Sequence, residues 1–142
     1  MTKYSDHTRQ IISELISARI RQGISLWDLA YELNVYPNAI QQVLNPDKNP
    51  SIENIVKVGN ALGLRFTMSN TRNPDCTAKE LVDLLAKERI YQEITTRELA
   101  SMTGIVQPAI CHTLSYQVVP RLDAFLKIAD ALNVELIILP EK

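Results

Sequence analysis

Apolar side chains recur at helical spacing near the start of the chain, where Ile11, Ile12, Leu15, Ile16 and Ile20 form one stripe that predicts an amphipathic helix facing a core. Gly23 ends it. Ser25, with Asp28 three residues on, can cap a second, short helix carrying Leu29, Ala30 and Leu33. Asn34, Val35 and Tyr36 then lead to Pro37, which suits the first position of a third helix because the N–H it lacks would be unpaired there. Ile40, Val43 and Leu44 are the expected buried side of that helix, and Val35, Ile40 and Leu44 are expected to hold it down. Residues 45–50 are a loop by composition, and Ser51 caps a fourth helix running to about Leu62, with Gly63 as its terminator. From Leu64 to Ser69 apolar and polar residues alternate, which predicts a strand with one buried face.

The same pattern then comes a second time. Residues 11–69 align without a gap over residues 81–139, at a constant offset of 70: Leu29-Ala30 over Leu99-Ala100, Ala39-Ile40 over Ala109-Ile110, Leu44 over Leu114, Pro50 over Pro120 and Ala61-Leu62 over Ala131-Leu132. A fixed internal period determines architecture before any other feature does. Thr77 and Glu80 form a capping box for a helix to about Tyr91, Thr95 and Glu98 form another, short helices start near Thr96 and Gln107, and a last helix spans about Leu122 to Leu132. Val134 to Leu139 is the second strand. It is apolar on both faces from Leu136 to Leu139 and so calls for a partner strand. Residues 69–76 are polar and turn-prone, hence a linker, and eight extended residues reach about 27 Å. The expected body is therefore mainly all-α, with domains at 1–72 and 73–142, whose terminal strands pair antiparallel within one chain about a pseudo-twofold axis. A homodimer through the same strands is the other arrangement the pattern leaves open.

Composition changes this picture little. The chain is 46% hydrophobic and 22% charged, and no apolar run reaches the roughly 18 residues of a membrane span. The first six residues lack the apolar core of a signal peptide, so a cytoplasmic location is expected. Cys76, Cys111, His7 and His112 make no metal-ligand spacing, and no metal or other cofactor is expected. No nucleophile with an orienting partner, phosphate loop or carboxylate pair is evident, so the chain does not read as an enzyme.

A short helix, a tight turn and a second short helix leave that second helix protruding from a compact body, and a helix of this size fits the major groove of DNA. The stretch Ser25-Leu26-Trp27-Asp28-Leu29-Ala30 through Asn34-Val35-Tyr36-Pro37-Asn38-Ala39-Ile40-Gln41-Gln42-Val43-Leu44, followed by Asn49-Pro50-Ser51 and Ala61-Leu62-Gly63, resembles the helix-turn-helix of lambda repressor-like and Cro-like (Xre) proteins. The second copy, with Thr96-Arg97-Glu98-Leu99-Ala100, Thr103-Gly104-Ile105-Val106-Gln107-Pro108-Ala109-Ile110 and Lys127-Ile128-Ala129-Asp130-Ala131-Leu132, is at least as similar. The resemblance implies two tandem helix-turn-helix domains that bind double-stranded DNA. It implies DNA contacts at Trp27, Tyr36, Pro37, Asn38, Gln41, Gln42, Asn45 and Lys48 in the first unit, and at Thr96, Arg97, Gln107, Cys111, His112 and Ser115 in the second. Asparagine and glutamine can pair bidentately with adenine, and lysine can neutralise a phosphate. Trp27 is expected to be exposed, and covering the neighbouring unit or a partner is favoured for it over stacking on DNA.

Residues 1–72 hold eight Lys or Arg against six Asp or Glu, and residues 73–142 hold seven against ten. Charge thus favours the first unit as the reader of DNA, whereas residue type favours the second. The expected function is a sequence-specific transcriptional regulator. Two further readings stay open: an antitoxin-like protein with a protein partner and autoregulatory DNA binding, and a helix-turn-helix interaction module without DNA binding.

Overall fold

A computed structural model describes residues 6–140; residues 1–5, most of the stretch that argued against a signal peptide, lie outside it, as do residues 141–142. The elements are α1 (Asp6–Gln22), α2 (Leu26–Leu33), α3 (Pro37–Val43), α4 (Ile52–Ala61), β1 (Leu64–Met68), α5 (Ala78–Tyr91), α6 (Thr96–Thr103), α7 (Gln107–Leu114), α8 (Leu122–Ala131) and β2 (Leu136–Pro140). Among the described residues the chain is mainly helical, with one antiparallel sheet of two strands.

Local chemistry repeats with the sequence. Ser25 Oγ accepts from the Asp28 N–H at 3.0 Å while the Asp28 carboxylate accepts from the Ser25 N–H, and Thr95 and Glu98 make the same reciprocal pair at 3.0 and 2.9 Å. Each such cap stabilises its helix by about 1 kcal/mol. Gln22 donates its side-chain amide to the Leu62 carbonyl, and seventy residues later Gln92 donates to the Leu132 carbonyl at 2.6 Å. Arg19 donates to the Ile24 carbonyl as Arg89 does to that of Ile94. The turn between α2 and α3 opens on Asn34 in the left-handed conformation, and the turn between α6 and α7 opens on Gly104 in the same conformation. Both residue types tolerate a positive φ, which lets a helix stop within one residue.

The two units are related by an approximate twofold axis. Thr67 pairs with Ile137 in the β1–β2 register, next to the central Phe66–Ile138 pair, and Ser51 is bridged to Arg121; in the Thr67–Ile137 and Ser51–Arg121 pairs the partners are seventy positions apart. The Ile52 N–H donates to the Pro120 carbonyl at 2.9 Å and the Leu122 N–H returns the bond to the Pro50 carbonyl at 2.8 Å. Corresponding residues that exchange equivalent bonds must lie on the symmetry axis. The expected pairing within one chain is therefore observed, and α4 leads from one crossing, at Ser51, toward the other, at Thr67.

A single apolar cluster runs through both units and includes Leu15, Leu29, Ile40, Ile55 and Phe66 from the first, with Leu81, Leu99, Ile110, Phe125 and Leu132 from the second. Each large side chain so buried contributes about 1.5–3 kcal/mol. Across the axis the Thr8 hydroxyl donates to the buried Asp123 carboxylate at 3.1 Å.

Three expectations need correction. Ile20 is 64% exposed, since at about 100° per residue it lies opposite the stripe that Ile11, Ile12, Leu15 and Ala18 present to the core, whereas Ile16, at the edge of that stripe, is half-buried against the core. Val35 does not hold α3 down: its N–H bonds to the Ala30 carbonyl, but its side chain is 44% exposed. Residues 69–76 are no free tether. The Cys76 N–H donates to the Phe66 carbonyl at 2.8 Å, Thr67 donates its hydroxyl to the Asn73 carbonyl, and Cys76 is buried, so the segment folds back along β1. The strands are also displaced slightly, ending at Met68 and Pro140 where Ser69 and Leu139 were expected.

Candidate nucleic-acid interface

Ala30 and Leu29 are buried where α2 meets α3, and Ile40 and Val43 fix the inner side of α3. That leaves Asn38, Gln41 and Gln42 exposed on its outer side, with Tyr36, the residue just before it, 84% exposed. Pro37 occupies the first turn and is half-buried. Trp27 on α2 is 73% exposed and thus does not cover the second unit. Lys48 is exposed, whereas half-buried Asn45 uses its side-chain oxygen to accept from the Asp47 N–H at 2.9 Å, which shapes the loop.

In the second unit Leu99 and Ile110 are buried in the same way, and Arg97, Gln107, Cys111, His112 and Ser115 are exposed. Thr96 is half-buried, and its hydroxyl accepts from the Gln107 side-chain amide at 2.8 Å. That bond joins the first residue of α6 to the first of α7 and turns the remaining edge of the amide outward. Ser115 caps the end of α7 and donates to the His112 carbonyl. The Glu98 carboxyl, accepting from the Thr95 backbone N–H, is held below its ordinary range by that bond first and by the Thr95 hydroxyl second.

The outer face of α3 borders the second unit. A cavity of about 540 Å³ is lined by Gln42, Lys48, Asn49 and Asn54 of the first unit together with Arg121 of the second. The carboxyl end of α3 therefore lies beside the Ser51–Arg121 crossing. Asp47, the acidic neighbour of Lys48, is neutralised by Arg9 at 2.8 Å.

Two residues were missed in the sequence. Tyr31, one turn beyond Trp27 on α2, is 91% exposed. Arg121 stands at the position before α8 where the repeat has Ser51, and it makes no side-chain cap. A cationic residue at a capping position was the available signal, because arginine has no acceptor to offer a helix start.

Among the described residues no group of three or more His, Cys, Asp or Glu could hold a metal, and no helix is long and apolar enough to cross a membrane. Cys76 is buried beside Thr67, which raises its thiol pKa by desolvation, whereas Cys111 is exposed on α7. Comparison of the chain with protein-family models, curated proteins and solved structures gave no match.

Proposed function

We propose that this chain is a sequence-specific DNA-binding transcriptional regulator, acting in the cytoplasm, whose two helix-turn-helix units of the lambda repressor-like type form a single-chain counterpart of a dimer. The observation that supports this reading is that α3 and α7, corresponding helices of two repeats joined by reciprocal bonds at Ser51 and Arg121, each expose polar side chains: Asn38, Gln41 and Gln42 on one, Gln107 and His112 on the other. Helix-turn-helix dimers place their reading helices about 34 Å apart, one turn of the duplex. In this reading Asn38, Gln41 and Gln42 contact bases in one half-site and Gln107 in the other, while Lys48 and Arg97 contact backbone.

The test is selection from a pool of randomised duplexes at near-physiological salt, followed by sequencing of the bound fraction. Enrichment of one motif supports the reading. Absence of enrichment would transfer the weight to a protein partner. That second reading, which includes an antitoxin-like role, is favoured by the exposed aromatic side chains of Trp27, Tyr31 and Tyr36 on α2 and the turn after it. Large exposed apolar side chains grouped together are suited to a protein contact.

A further inference from the structure

We infer that Arg121, supplied by the second unit, completes a phosphate-binding cleft in the first unit's half of the interface, so that the two halves grip DNA unequally. The inference rests on the DNA reading above. Arg121 and Lys48 line the same cavity, and among the residues lining it none is acidic. Arg121 is held there by donating to the Asn49 carbonyl at 3.1 Å, in the loop that carries Lys48. With Asp47 engaged by Arg9, the loop presents Lys48 as an uncompensated cation.

The twofold-related cleft has none of this. At the positions corresponding to Lys48, Asn49, Asn54 and Arg121 stand Val118, Val119, Ala124 and Ser51. Two cations and two amides are thus replaced by apolar or small side chains. An arginine fork with an adjacent lysine and amide donors matches the charge and the acceptor geometry of a phosphodiester. Such a contact releases condensed counterions and steepens the salt dependence of binding.

The experiment measures log Kd against log salt concentration on a duplex recovered by selection, for the parent, Arg121→Gln, Arg121→Lys, Ser51→Ala and Val118→Lys. Arg121→Gln is expected to reduce the slope by about 0.9, the value for one phosphate. Arg121→Lys should restore most of the slope and Ser51→Ala should leave it unchanged. Val118→Lys, at the twofold-related position, should raise the slope by a similar amount, and this gain does not depend on how the Arg121 variants fold. An unchanged slope in Arg121→Gln, with a thermal midpoint equal to the parent's, would overturn the inference while leaving the DNA reading intact. Absence of selective binding by the parent would overturn both.

Discussion

Gln107 donates its side-chain amide to the Thr96 hydroxyl at 2.8 Å, and the first unit has Pro37 and Leu26 at the two corresponding positions, where no such bond can form. The second unit therefore holds a glutamine oriented by a neighbour at the start of α7, whereas the first exposes Asn38, Gln41 and Gln42 further along α3. Gln107→Ala is expected to reduce discrimination at one half-site by about 1–3 kcal/mol, and Gln41→Ala with Gln42→Ala to do so at the other by a similar amount per lost contact. Affinities for a selected duplex and its single-base variants check this, with each variant affecting its own half-site alone.

Gly59 on α4 lies against the Phe66 ring so closely that a Cβ would come 2.4 Å from two ring carbons. Gly59→Ala should destabilise the protein by about 1–3 kcal/mol through overpacking. The second unit has Ala129 and Leu136 at the corresponding positions, both buried, which is the complementary solution to the same packing problem. Gly59→Ala combined with Phe66→Leu should thus recover part of the loss, as a double-mutant cycle by denaturant unfolding would register.

Stability should fall at both ends of the pH scale. Glu98 has its folded pKa lowered by Thr95, so its contribution is present above the unfolded pKa and is lost as pH falls through the folded one. Glu98→Gln is expected to flatten the acid limb of a plot of thermal midpoint against pH. Cys76 and Tyr116 have theirs raised, each by burial first, so their contributions are present below the unfolded values and are lost as pH rises through the folded ones. Tyr116→Phe, which removes the hydroxyl that donates to Glu53, should reduce the alkaline dependence.

The two cysteines offer a direct probe of α7. Cys111 is exposed and Cys76 is buried with a raised thiol pKa, so a thiol reagent should modify one site rapidly and the other only on unfolding. Saturation with a selected duplex is expected to slow modification of Cys111 and leave Cys76 unaffected. Equal rates with and without the duplex would remove α7 from the interface.

The repeat made most of the fold legible, because a constant offset carries most cap and core positions from one unit to the other, the cap at Ser51 excepted. Ser25, Thr77 and Thr95 announce their helices by local chemistry alone, and all three accept the bonds expected of them. The strand pairing was legible for a different reason: Leu136 to Leu139 are too apolar to stand unpaired. What stayed hidden depends on contacts distant in sequence. The folding of residues 69–76 along β1 rests on Cys76 and Phe66 meeting through their backbones, which no composition reveals. Val35 is exposed although its backbone closes the turn onto Ala30, whereas the exposure of Ile20 was legible in its place opposite the buried stripe of α1. Arg121 is read as a surface charge until Ser51 is set beside it, and Gln107 gains its orientation from a residue eleven positions away.

The central claim is that α3 and α7 engage one duplex from two sides of a single axis. Hydroxyl-radical footprinting of the protein on a selected duplex tests it most directly. Two protected patches of unlike sequence on one face of the DNA, their centres about ten base pairs apart, are the expected result. One short patch, or uniform protection that disappears with modest added salt, would contradict it.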